Sequence, residues 1–353
     1  MKDFYGSLIF SLVGLALAYL WGGVQGIIIA ALLSLMEVTL SFDNAVVNAA
    51  VLRGMHEKWQ KRFLTWGILI AVFGMRLLFP LLIVALATGL SVYGVGQLAL
   101  DKPEEYSRHV LESHVLISAF GGMFLLMVFF HYFFNVNKTV HWLEPIERRL
   151  AKLGKLESAE VIMAMTLLLS LHAFLPDHDR YDALLAGTLG VVLYVAVNSA
   201  TALLAGGDEV GKVLTYGGFM GFMYLQILDA SFSLDGVIGA LAMSKDIVII
   251  MLGLGIGAFF VRSMTVYMVR EGTLEQFVFL EHGAHYGIGA LAAIMLVGMM
   301  VDVSEVITGL VGAGFILFSL ISSIRYNRVH QYREYRGNEP KISDTTTRDP
   351  SAR

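Results

Sequence analysis

Ten long apolar stretches follow one another through this chain of 353 residues, separated by short polar loops. They run at about 5–21, 25–51, 63–88, 113–134, 159–175, 183–205, 213–241, 246–268, 284–301 and 304–324. A helix needs roughly 20 apolar residues to cross a bilayer core. Backbone at that depth must satisfy its own hydrogen bonds, which favours helices. The expected fold is therefore an all-α polytopic membrane protein of about ten transmembrane helices. Composition agrees: 56% of residues are hydrophobic and 15% are charged, against about a quarter charged in soluble domains. There is no cysteine, so disulfides and thiolate metal sites are excluded. Trp21-Gly22-Gly23 follows the first stretch with no small-residue cleavage pattern, which reads as a retained first span.

Orientation follows from the basic residues of the loops. Arg53, Lys58, Lys61 and Arg62 follow the second stretch, and Lys138, Arg148, Arg149, Lys152 and Lys155 the fourth. Arg325, Arg328, Arg333 and Arg336 follow the tenth. With alternating spans, all lie on one side. The rule places that side and both termini in the cytoplasm of an inner (plasma) membrane. Segment 138–158 is expected to lie along the cytoplasmic interface. The chain then divides into an N-terminal half (1–176), a C-terminal half (177–324) and a basic, then disordered, cytoplasmic tail (325–353).

Two of the apolar stretches carry related acidic motifs. The first reads Glu37-Val-Thr-Leu-Ser41-Phe-Asp43-Asn44, the second Asp229-Ala-Ser-Phe-Ser233-Leu-Asp235-Gly236. Carboxylates at membrane depth are costly unless paired, solvated or bound to a cation. Five spans separate the copies, so their helices run in opposite directions. Arg76 lies one span after the first copy and Arg262 one span after the second. Leu111-Glu112-Ser113-His114 opens the fourth stretch, as Leu280-Glu281-His282-Gly-Ala-His285 precedes the ninth. The pattern is that of a five-plus-five inverted repeat, an arrangement whose substrate sites lie near the midplane between repeats.

On a regular helix Glu37, Ser41, Asn44 and Asn48 share one stripe, while Asp43 falls on another. All the oxygens converge only if the helices unwind near the Ser-x-Asp step, as in discontinuous transporter helices. Carboxylates, hydroxyls and an amide form a hard-oxygen set suited to Mn²⁺, Ca²⁺ or Mg²⁺. The candidate metal residues are Glu37, Ser41, Asp43, Asn44, Asp229, Ser233 and Asp235. Possible accessories are Arg76, Arg262, Glu112, Glu281, His114 and His285. The competing reading is structural: Arg76 and Arg262 neutralise Asp43 and Asp235, and the other groups are ordinary interfacial residues.

At these residues the chain resembles the TerC family of integral membrane proteins. The shared signature is an acid followed by Ser-x-Asp-Asn within a span, kept as Glu37 and Ser41-Phe-Asp43-Asn44, with Gly236 replacing the final Asn in the second copy. The resemblance implies an inverted-repeat protein of metal homeostasis or tellurium resistance. Its implied cargo is a divalent cation, Mn²⁺ favoured, with no permanently bound cofactor. The expectation is a non-enzymatic exporter in the lipid bilayer, without nucleic-acid partners. The rival expectation is a scaffold docking soluble cytoplasmic stress-response proteins through segment 138–158 and the tail.

Overall fold

The computed structural model describes residues 4–156, 158–204, 218–301 and 303–337. Among these residues the chain is helical apart from its connecting turns, without strands. The first helices are α1 (Tyr5–Leu40), α2 (Phe42–Arg53) and α3 (Glu57–Leu69), then a π-helical segment (Ile70–Leu78) and α4 (Phe79–Thr88). Next come α5 (Val92–Asp101), α6 (Pro103–Glu112), α7 (His114–Phe133), α8 (Glu144–Leu153) and α9 (Ala159–His172). The rest are α10 (Asp177–Leu204), α11 (Gly218–Met243), α12 (Ile247–Arg270), α13 (Thr273–Gln276), α14 (Leu280–Gly298) and α15 (Glu305–Gly337).

Where they are described, the ten apolar stretches are mainly helical. Among the described residues six helices are long and apolar enough to cross a membrane, or seven if the bent α3–α4 pair forms one span. One of the six, α1, is more than a single rod. At Gly23 the backbone turns to φ 62°, ψ −150°, a conformation open to glycine without steric cost. Contacts with α12 reveal a reversal. On the first arm Ser7 Oγ lies 2.6 Å from Ser263 Oγ, and Gly14 packs on Ile256. At the turn Trp21 Nε1 donates to Asp246 Oδ2 at 2.9 Å. Past it Gly26 returns against the Ala18 carbonyl, then Ala30 and Leu33 meet Gly253, and Glu37 meets Gly257. The contacts descend α12 and climb it again, so α1 is a hairpin of two antiparallel arms. Its outer side exposes Leu12, Leu20 and Trp21, as suits lipid.

The main core joins α2, α7, α10, α11 and α14. On α7, Gly121 and Gly122 admit Met295 and Leu296 of α14. The hairpin and α2 pack on α12, while α11 packs on the π segment. Residues 91–112, between the third and fourth apolar stretches, form α5 and α6, with Val95, Ala99 and Tyr106 buried in a second core. The basic stretch after 324 continues α15 to Gly337, whereas the remainder of the expected tail, 338–353, lies outside the described residues.

Candidate cation site

The first motif straddles the junction of α1 and α2. Ser41 departs from helical geometry at φ −100°, ψ 17°. The ladder nevertheless continues, Ser41 N bonding Glu37 O at 3.0 Å and Ala45 N bonding Ser41 O at 3.1 Å. The second motif lies inside the unbroken α11. The expected unwinding thus shrinks to one irregular residue in the first copy, because both ladders stay closed.

Glu37 is buried, and its Oε1 accepts from Ser41 Oγ at 2.8 Å and from Arg76 Nη2. Arg76 reaches it from the π segment and also donates to Ala71 O at 2.8 Å. Proline explains the distortion. Pro80 has no N–H for the Arg76 carbonyl four residues earlier, and its ring crowds that carbonyl. The π-helical turns end just ahead of Pro80, whereas the 42° bend lies at their other end, between Glu57–Gly67 and Ile70–Ala85.

Asp43 opens α2 and is 4% exposed. Its Oδ1 accepts from Asn44 N at 2.9 Å. Among the described residues no basic side chain pairs with it. Its Oδ2 faces two glycines, where an added methyl would sit 3.1 Å (Gly287) or 3.5 Å (Gly312) away. Gly236 is treated similarly by the other acid: a methyl there would meet Glu37 Oε2 at 3.1 Å. The departure of the second motif from Asn to Gly therefore makes room for the first motif's carboxylate.

These groups border a cavity of about 20 Å³, room for one water-sized guest. Glu37, Ser41 and Asp43 line it from the first copy, Phe232 and Gly236 from the second, and Gly287, Leu291, Thr308 and Gly312 from α14 and α15. Both copies thus contribute to one cavity, though not as four converging acids.

Asp229 is engaged elsewhere. Its Oδ2 accepts from Arg262 Nη2 at 2.6 Å and its Oδ1 from Asn48 Nδ2 at 2.6 Å. The same Arg262 nitrogen donates to Gly67 O at 3.0 Å, and the guanidinium lies 3.6 Å over the Phe63 ring. Arg76 and Arg262 therefore pair with the first acid of each motif, and for Arg76 this replaces the expected pairing with Asp43. The Asp235 side chain lies outside the described residues. Among those described, no group of three or more His, Asp or Glu side chains could hold a metal ion. Among the described residues the cavity offers the carboxylates of Glu37 and Asp43 and the hydroxyls of Ser41 and Thr308.

A family model matches residues 42–330, more than half of the chain. The chain belongs to the DUF475 family of proteins of unknown function. No curated protein and no solved structure matches it. In this DUF475 protein the matched region holds Asp43, Arg76, Asp229 and Arg262 and begins after Glu37 and Ser41.

The accessory candidates do not line the cavity. Glu112 is exposed beside Arg108 and His109. His114 Nε2 lies 3.2 Å from Ser118 Oγ. Glu281 is 3.9 Å from Arg53, and His285 stacks on Tyr132 at 3.6 Å with Nδ1 2.8 Å from Glu281 O. Asn44 is buried next to Asp43, and Ser233 is buried on α11.

Sequence reasoning missed Thr308, Gly287 and Gly312, because a hydroxyl or glycine in a span has many ordinary uses. It also missed a buried cluster that anchors α8. Glu147 accepts from the backbone of Trp142 at 3.2 Å and Leu143 at 3.1 Å. Lys138 Nζ lies 3.3 Å from this carboxylate and His282 Nε2 3.5 Å. Burial pushes the Lys138 amine down to about 8, with Glu147 opposing the shift.

Proposed function

We propose that this protein is a membrane transporter that exports a small divalent cation, Mn²⁺ first, with Ca²⁺ and Mg²⁺ as the other hard-ion candidates. The carrying observation is Asp43, a buried carboxylate with no basic partner among the described residues, on a cavity lined by both motif copies. A carboxylate in such a place calls for a cation or a proton. Glu37 Oε2, Asp43 Oδ2 and the hydroxyls of Ser41 and Thr308 would hold the ion, and hard oxygens suit these metals. The small cavity implies that the ion sheds most of its water before entering. Return of a proton to Asp43 when the ion leaves would couple export to the proton gradient.

The arrangement supports a five-plus-five inverted repeat related to TerC. Each motif helix packs on the arginine-bearing helix of the other half, and α7 meets α14, its counterpart. The residues 37–44 and 229–236 carry that resemblance. On this reading the protein lies in the inner membrane with its basic loops and both termini in the cytoplasm.

The test is Mn²⁺ efflux from a manganese-sensitive host expressing the protein. Asp43→Asn is expected to abolish efflux and resistance together. Wild-type efflux by that variant would sink the site. Loss of resistance with efflux intact, on shortening the segment around α8, would point instead to docking of soluble partners.

A further inference from the structure

Two polar stripes face each other across the bundle. On α1 and α2 the stripe is Glu37, Ser41, Asn44 and Asn48; on α11 it is Gln226, Asp229, Ser233 and Gly236. Asn48 bonds Asp229 at one end, and Glu37 packs on Gly236 at the other. The stripes therefore run antiparallel, and all eight residues are buried.

This seam is rich in unsatisfied groups. Among the described residues, buried polar atoms without a partner include Asn44 Oδ1, Asn48 Oδ1, Ser233 Oγ, both amide atoms of Gln226, and Arg262 Nη1. These six atoms gather along one line. Gln226 is 3% exposed. A methyl added at Gly67 would lie 3.1 Å from both Gln226 Nε2 and Arg262 Nη1, so these two groups share one place. Buried polar atoms are nearly always hydrogen-bonded, and a run of exceptions marks water or a ligand.

The seam has a direction. At the start of α11, Phe219 and Phe222 pack on Trp59, each with ring centroids 6.0 Å away, and Arg62 lies 4.4 Å over the same indole. Gln226 is thus about 12 Å along the helix from the basic-loop end. The far end of the seam opens on the Asp43 cavity.

We infer that this seam is the hydrated route by which a small cation passes between the basic-loop end of the bundle and the Asp43 cavity. The Asn48–Asp229–Arg262 junction gates it. The cargo rests on the transport reading above, whereas the water does not. Neutral amide and hydroxyl oxygens replace hydration waters one at a time without trapping the ion. At the junction an arriving cation competes with Arg262 for Asp229, so passage requires that pair to part.

The chain has no cysteine, so each introduced thiol is the only one. Gln226→Cys, Asn44→Cys and the nearly isosteric Ser233→Cys are treated with a membrane-impermeant methanethiosulfonate in vesicles of each orientation. Leu225→Cys and Leu228→Cys, fully buried on α11, serve as controls. The expected result is labelling of Gln226→Cys and Ser233→Cys from the basic-loop side alone, slowed by Mn²⁺, with both controls inert. Seam cysteines as inert as the controls, or reached only from the opposite side, would overturn the route whatever the cargo. Labelling that Mn²⁺ does not slow would uphold the hydrated seam and overturn the metal reading.

Discussion

The two motif copies share a spacing and an arginine in the following helix, yet they build different things. In the second copy both Asp229 oxygens are taken, by Arg262 and Asn48, and Arg262 reaches on to Gly67. That acid ties three helices together. In the first copy Arg76 and Ser41 share one oxygen of Glu37, the other faces Gly236, and Asp43 has no basic partner among the described residues. The helices differ accordingly: Arg76 rides a π-helical segment ahead of Pro80, whereas Arg262 sits on the regular α12. One copy locks its first acid between two partners. The other leaves its carboxylates bordering a cavity. A duplicated motif can thus divide its labour between holding the bundle and offering a site.

The largest test of this contrast is Asp229→Ala. Stripping a buried ion pair of one member costs about 3–5 kcal/mol, and the variant should melt well below the wild type in detergent. A melt equal to that of Asp43→Ala would erase the difference between the copies. Next is Gly236→Asn, which gives the second motif the residue of the first. The new side chain has to displace Glu37 Oε2, and overpacking of this kind costs about 1–3 kcal/mol. An undiminished melting temperature would mean that Glu37 does not need that glycine.

A pH arm uses a pair outside both copies. Lys138 is lowered from 10.5 to about 8 by burial despite its contact with Glu147. Between these values the unfolded chain binds more protons than the folded one, so stability rises with pH across that window. Lys138→Met should remove the rise, as read by melts at pH 8 and 10. A rise that survives the substitution would assign it to another group. The smallest stability change is expected for Asp43→Asn. It breaks no ion pair, so the shift should stay within about 1 kcal/mol, while export is lost. A large destabilisation would make Asp43 a structural residue like Asp229.

Much of this contrast was legible in the sequence, and some was not. Apolar runs locate helices because length and hydropathy decide that question locally. Trp21-Gly22-Gly23 marked the boundary between the first two arms for the same reason. The burial of Arg76 and Arg262 was also visible, since charge in an apolar run has few other places to go. The partner of Arg76 was misjudged. Which acid an arginine meets depends on helix rotation, and a π-helical segment changes rotation in a way that residue types alone do not announce. The roles of Gly236, Gly287 and Gly312 lie in what a missing methyl permits across an interface. Thr308 joins the cavity through tertiary packing some 265 positions after Asp43.

The hairpin at Gly23 bears on how the molecule is made. Its seat is α12, and Ser7 meets Ser263 across a separation of 256 residues. A ribosome releases the hairpin long before it has synthesised that seat. Contacts so distant in sequence form late. The two arms must therefore enter the bilayer as a provisional pair, with Glu37 awaiting first Arg76 and then the glycine surface of α12. A nascent chain arrested before Ile247 would hold an inserted hairpin with nowhere to dock, a natural substrate for membrane quality control.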